Sequence, residues 1–153
     1  PCAILVNAAG AAVSAPFLRT DDAAFRAALD ANLMSAVALT RALLPGMVAA
    51  GFGRVVNIAS TASLKGYAYV VPYVAAKHAL LGFTRALALE VARQGVTVNC
   101  VCPGFTETPL LEESAARIAA KTGRDGRAAL AANNPQGRLF TPDEVADAVL
   151  YLC

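Results

Sequence analysis

Hydrophobic and polar positions follow two rhythms along the chain. Short, almost unbroken apolar runs occur at Ala3-Ile4-Leu5-Val6-Asn7, at residues 54–60 and at residues 96–102. They are rich in β-branched residues, and each stops at Asn, Ser or Pro-Gly. Runs of this kind predict strands buried on both faces, as in a parallel sheet. Between them the apolar residues recur at helical spacing. Phe25, Leu29, Leu33, Val37 and Leu44 mark a first helix over 22–50, with Thr20 as N-cap and Asp21 and Asp22 in the first turn. Pro45-Gly46 should bend or end it, and Gly51-Phe52-Gly53 makes a turn. Pro72 suits the first position of a second helix over 73–94, and Gly95 suits its C-terminal stop. Thr141-Pro142-Asp143-Glu144 reads as a capped start for a last helix. Residues 11–19 and 61–71 read as loops. Residues 105–138 are more polar and carry Gly123, Gly126, Pro135 and Gly137, which predicts a mobile region with one or two short helices.

Alternating strands and helices predict an α/β fold: a doubly wound parallel sheet with helices on both faces. No repeat, linker or low-complexity segment divides residues 1–153, so one partial domain is expected and no second one. A central-type strand at residue 3 implies that further segments precede it. In open α/β sheets ligands bind beyond the carboxyl ends of the strands. The polar punctuation at Asn7 to Gly10, at Ser60 and at Pro103 to Thr108 falls there.

Composition narrows the class. The chain is 57% hydrophobic and 16% charged, with a net charge of +2. The excess is mostly Ala and Val, and no run of about 18 uninterrupted apolar residues occurs, so no membrane span is predicted. No secretory signal is visible, and the scattered basic residues make no nucleic-acid surface. Cys2, Cys100, Cys102 and Cys153 read as reduced, buried thiols of a cytoplasmic protein. Cys100 and Cys102 would share one strand face, where a disulfide would be strained. The single histidine, His78, reads as structural or interfacial, and nothing has metal-ligand spacing, so no metal is expected.

The candidate chemistry lies at Tyr73 and Lys77. Four residues apart on a helix, a phenol and an ammonium share one face. The cation should favour the phenolate and lower the phenol pKa. A phenol so tuned can pass a proton to or from an alcohol oxygen. Ser60 ends the preceding strand and supplies a second hydroxyl.

Taken together, these residues resemble the short-chain dehydrogenase/reductase family over essentially the whole chain. Asn7-Ala8-Ala9-Gly10 is similar to the family's N-N-A-G, with Ala8 in place of the second asparagine. Asn32, Ser60, Tyr73 and Lys77 match its catalytic tetrad. Pro103-Gly104 followed by Thr108 resembles the segment that holds the nicotinamide carboxamide, with Thr106 where Ile or Val is commoner. The resemblance implies a Rossmann-like fold present as its C-terminal part, without the first βα units, their glycine-rich fingerprint or the last strand. It implies NAD or NADP as cofactor and hydride transfer between a nicotinamide and a ketone or secondary alcohol. Asn7, Ala8, Ala9, Gly10, Tyr73, Lys77, Pro103, Gly104, Thr106 and Thr108 would contact the cofactor. Tyr73 would donate the proton and Ser60 would orient the oxygen. Lys77 would lower the Tyr73 pKa and bind ribose hydroxyls, and Asn32 would hold a water.

The local sequences look most like reductases of β-ketoacyl thioesters and polyketides, or 3-hydroxyacyl-CoA dehydrogenases. A carbonyl or alcohol substrate carried on CoA or acyl-carrier protein is therefore expected. A dehydrogenase of a small polyol, sugar or steroid-like alcohol is the alternative, and a non-catalytic sensing subunit is the alternative of another class. Arg124, Arg127 or Arg138 would meet a carrier phosphate. Without the fingerprint, this stretch alone is expected neither to bind NADPH tightly nor to turn over. Small residues at Ala75, Ala79, Gly82 and Ala86 suggest close approach by another element. In the family the helices over 22–50 and 73–94 pack on a second subunit, which implies a homodimer or homotetramer.

Overall fold

A computed structural model describes residues 2–153, which form two compact units. One comprises residues up to Cys102 together with Val149–Cys153, and the other spans Pro103–Ala148.

The first unit is built on three parallel strands, β1 (Ile4–Asn7), β2 (Gly53–Ile58) and β3 (Val96–Val101), in the order β1-β2-β3. Their register aligns Asn7 with Asn57 and Asn57 with Cys100, so the carboxyl ends lie level. Helices α1 (Asp22–Leu29), α2 (Ser35–Ala50) and α3 (Val71–Val91) connect them. The core places Leu5, Val55, Val96 and Val98 of the strands against Leu43, Leu44, Met47 and Val48 of α2 and Leu87, Ala88 and Val91 of α3. These side chains belong to one face of the sheet. β1 departs from the expectation of burial on both faces. Leu5 and Asn7 are buried, but Ile4 and Val6, which point the other way, remain 45% and 41% exposed. Among the described residues nothing covers that side of this edge strand.

A polar ladder crosses the same core. Asn7 Nδ2 donates to Asn57 Oδ1 at 2.8 Å and to Thr40 Oγ1 at 3.3 Å, and Asn57 Nδ2 donates to Thr84 Oγ1 at 2.9 Å. All four residues are buried. The ladder links α2, β1, β2 and α3 directly below the strand ends.

Several element boundaries differ from expectation. Asp21, not Thr20, caps α1, accepting from Ala24 N at 2.9 Å. The Thr20 hydroxyl is already committed to Pro16 O in the single 3-10 turn Phe17–Arg19. The first helix keeps the expected span to residue 50 and is not ended by Pro45. It passes through a π turn at Asp30–Met34 and continues to Ala50, where Gly51 turns left-handed at φ 64°. The run Asp22–Ala50 is long and apolar enough to cross a membrane by length and composition, but its Leu43, Leu44, Met47 and Val48 face the sheet. In α3, Pro72 is the second residue after Val71, and the helix stops at Val91, short of Gln94. Gln94 N bonds to Val91 O, tightening the last turn before Gly95 at φ 73°.

In the second unit the one or two helices expected between residues 105 and 138 are two: α4 (Pro109–Thr122), capped by Thr108, and α5 (Gly126–Ala131), capped by Asp125. Leu111, Ala115 and Leu130 make its core, with Phe105, Ile118 and Leu139 packed around them. A Cβ at Gly126 would overlap the Ala115 carbonyl, so glycine there permits the close crossing. α6 (Pro142–Leu152) starts with the anticipated capping box: Glu144 N donates to Thr141 Oγ1 at 3.3 Å and Thr141 N to Glu144 Oε2 at 2.8 Å.

Candidate active site

Ser60 follows β2 in extended backbone (φ −170°, ψ 161°). Its Oγ accepts from Ala62 N at 3.1 Å, capping the 3-10 turn Thr61–Ser63 and aiming the hydroxyl from a fixed position. Tyr73 lies in the first turn of α3, with the Ser60 hydroxyl close enough to act on its phenol. Lys77, one turn on, is 4% exposed. Its Nζ stands 5.7 Å from the Tyr73 ring centroid and donates to Ile58 O at 2.8 Å. Serine, tyrosine and lysine are thus brought together at the carboxyl end of β2.

The electrostatics differ from the sequence expectation in direction. Burial raises the Tyr73 pKa. The Ser60 hydroxyl opposes that rise, and the Tyr67 phenol adds to it. Burial also pushes Lys77 down to about 8. Loss of hydration is the largest cause for both groups, and the lysine hydrogen-bonds the Ile58 carbonyl. Tyr73 stays protonated at neutral pH, the form a proton donor requires.

Asn32 sits in the π turn of the α1–α2 run, 1% exposed. Such turns frequently mark functional sites. Its Nδ2 donates to Ala11 O at 2.8 Å and Ala28 O at 2.9 Å, and its Oδ1 accepts from Ala11 N at 3.3 Å. The side chain therefore clamps the chain leaving β1, with both amide N–H groups used. Ala8, Ala9 and Gly10 are exposed on that segment, while Asn7 is buried in the ladder. A Cβ at Gly10 would lie 2.8 Å from Asn32 Oδ1 and 3.5 Å from Lys77 Nζ. Gly10 is therefore the one residue type that lets this backbone lie against both groups.

The remaining residues named from the sequence belong to the second unit. Thr106 pairs with Phe140 in an isolated parallel bridge. Thr106 Oγ1 donates to Gly104 O at 3.1 Å, and Thr108 caps α4. Pro103 is half-buried. Two of the three candidate phosphate-binding arginines are engaged elsewhere. Arg127 pairs with Glu107 and Glu112, and Arg138 forms a two-point pair with Glu144. Arg138 and the Thr141 N–H hold the Glu144 carboxyl at about 2. The four cysteines are free, but Cys2 is exposed and the others are half-buried, not enclosed as expected. Cys100 and Cys102 do share a face, with Sγ atoms 3.9 Å apart. His78 is exposed and bonds Val74 O. No cluster of metal-ligating side chains exists among the described residues.

Two features escaped the sequence. Tyr67, held to the Thr61 hydroxyl at 2.8 Å, acts electrostatically on Tyr73. Asn134 binds the backbone of Phe105. A tyrosine in a loop and an asparagine before proline carry no pattern that spacing alone reveals.

Comparison with known proteins agrees with this geometry. The family described as enoyl-(acyl carrier protein) reductase matches residues 2–153. D-beta-hydroxybutyrate dehydrogenase of Cupriavidus necator is 39% identical over 153 residues, covering 97% of this chain and 59% of that protein. The 3-oxoacyl-(acyl-carrier-protein) reductase FabG of Vibrio harveyi is 38% identical over 149 residues, covering 97% of this chain and 58% of that protein. Among solved structures, a variant of the actinorhodin polyketide ketoreductase with NADPH superposes with a TM-score of 0.93 at 38% identity, covering 99% of this chain and 60% of that one. The chain thus spans about 60% of the length of the relatives it matches. On its parallel α/β fold, its motifs in family order and these matches over nearly all its residues, the chain belongs to the short-chain dehydrogenase/reductase family.

Proposed function

We propose that the protein is an NAD(P)-dependent oxidoreductase acting on a ketone or secondary alcohol, with a 3-oxoacyl thioester or polyketide-type chain as substrate. The carrying observation is that Ser60, Tyr73 and Lys77 meet at the carboxyl end of β2, with the buried Lys77 ammonium 5.7 Å from the Tyr73 ring.

The residues present fit the nicotinamide end of a dinucleotide. Gly10 makes a cradle that a Cβ would fill, against Asn32 and Lys77, and Lys77 supplies a donor for ribose hydroxyls. By the family resemblance, the segment Pro103–Thr108 receives the carboxamide. When bound, the cofactor carries the hydride. The protein's own part is proton handling. Tyr73 gives its phenolic proton to the substrate oxygen as negative charge develops there, and Ser60 donates a hydrogen bond to the same oxygen. Lys77 keeps a positive charge next to the tyrosinate left behind.

Leu64, Tyr69 and Val71, all exposed, lie between Ser60 and Tyr73 in sequence and support an apolar substrate chain. The relatives named for 3-oxoacyl-carrier and acetoacetyl-CoA reduction point to the same class. Arg124 is then the candidate for a carrier phosphate, since Arg127 and Arg138 are engaged in ion pairs. A cytoplasmic homodimer or homotetramer, with no role for membrane or nucleic acid, completes the proposal.

Turnover of a 3-oxoacyl thioester with NADPH and with NADH tests it. Tyr73→Phe in the full-length protein should lower kcat by at least about 100-fold, the usual weight of a general acid. A variant working at the parent rate overturns the mechanism.

A further inference from the structure

We infer that Asn134 is a positioning residue for the cofactor, fixing the backbone edge of Thr106. The inference rests on the reading of Pro103–Thr108 as the carboxamide-binding segment.

Asn134 is 4% exposed and lies in the turn after α5. Its side chain makes three hydrogen bonds, all to backbone. Oδ1 accepts from Phe105 N at 2.9 Å, and Nδ2 donates to Phe105 O at 2.9 Å and to Arg138 O at 2.7 Å. The first two engage both polar groups of one residue, as a neighbouring strand would. Phe140 completes the arrangement from the backbone: its N donates to Phe105 O at 3.0 Å, and its O accepts from Glu107 N at 2.9 Å.

The direction of the intervening residue follows. In an extended segment, the backbone groups of successive residues point to opposite edges. Phe105 O and Glu107 N face Phe140, so Thr106 N–H and C=O face away from it. That outward edge presents one donor and one acceptor side by side. A primary carboxamide carries the complementary acceptor and donor and can meet both. Asn134 also limits the approach to the edge. A Cβ at Gly104 would collide with Asn134 Oδ1 and lie 2.9 Å from Phe140 Cε2, so the Gly104 backbone rests directly on the amide. The Asn134 amide thus sets the orientation of the peptides on either side of Phe105 without touching the ligand.

The test is a fluorescence titration of NADPH into the full-length protein, with amide hydrogen exchange across 103–108. Asn134→Leu should weaken NADPH binding about 10-fold, equivalent to about 1.4 kcal/mol, and speed exchange at the Phe105 amide. Asn134→Asp retains the acceptor for Phe105 N but loses both donors, and should fall between Leu and the parent. It also serves if the Leu variant does not fold. Thr106→Pro, which removes the outward N–H, tests the underlying reading independently. If Thr106→Pro weakens binding while the Asn134 variants bind as the parent does, the positioning role is wrong and the reading stands. If Thr106→Pro itself leaves the affinity unchanged, the reading falls. Weakened binding in Asn134→Leu without faster Phe105 exchange also overturns the positioning role.

Discussion

Burial of the Lys77 ammonium lowers its pKa from 10.5 to about 8, and this fixes how stability should vary with pH. Between about pH 8 and 10.5 the unfolded chain holds a proton that the folded one has released. The unfolded state binds more protons there, so stability rises with pH across that window. Below pH 8 both states are protonated, and the native state carries the full cost of a buried cation, at most about 3 kcal/mol from the size of the shift. Lys77→Met should therefore be more stable than the parent at pH 7 while losing turnover. Chemical denaturation at pH 7, 8.5 and 10 should show the difference closing as pH rises. A constant difference would mean that Lys77 is not the titrating group. The Asn7–Asn57–Thr84 ladder predicts the opposite sign. Asn57→Ala removes the bonds to Asn7 and Thr84 in a buried core, leaving Asn7 only its longer bond to Thr40 and Thr84 its bond to Leu80 O, and should cost about 2–4 kcal/mol, read as a lower urea midpoint. Ser60, Tyr73 and Lys77 were legible in the sequence because their chemistry survives as spacing along one chain. The raised Tyr73 pKa was not, because it depends on how much water the folded site excludes. Asn134 was not legible either, since its partner Phe105 is brought to it only by tertiary structure.

At the scale of elements, the strands and helices were readable wherever periodicity and capping agreed. The Thr141–Glu144 box starts α6 as its residues dictate. Local rules failed where packing outweighed them. Pro45 is carried inside α2, despite a typical cost of about 3 kcal/mol in a helix interior, because Leu43, Leu44, Met47 and Val48 around it are packed on the sheet. The π turn at Asp30–Met34 left no mark in the apolar spacing, which an inserted residue shifts too little to betray. One junction is unusually exacting. Gly95 holds φ 73°, its Cβ position is filled by the Gly51 carbonyl, and its own carbonyl accepts from Gly53 N at 3.2 Å. The turns entering β2 and β3 are thereby locked together. Gly95→Ala combines a left-handed backbone with a backbone clash and should destabilise by roughly 2–4 kcal/mol. A urea midpoint within error of the parent would show that the two turns separate at little cost.

On the scale of the whole molecule, the unexplained surface lies on α3. Leu89 is 82% exposed, and Ala75, Gly82 and Ala86 are exposed on the stripe of small residues. Gly82 stands in the middle of a 21-residue helix, where glycine costs about 1 kcal/mol relative to alanine. Nothing among the described residues requires it, because a Cβ there would meet none of their atoms within 4 Å. A reason outside the chain is the close approach of another backbone, which the proposed second subunit would supply. Two substitutions separate a covered face from an open one. On an open face, Gly82→Ala should stabilise by about 1 kcal/mol through helix propensity alone, and Gly82→Arg should leave the particle size unchanged. On a face covered by a second copy, Gly82→Ala gains nothing or loses stability, and Gly82→Arg shifts the protein to a smaller species in light scattering. We expect the second pair of results. The first pair would remove the homodimer or homotetramer proposal for this helix, while leaving the Ser60, Tyr73 and Lys77 arrangement intact, since none of those residues depends on the Gly82 face.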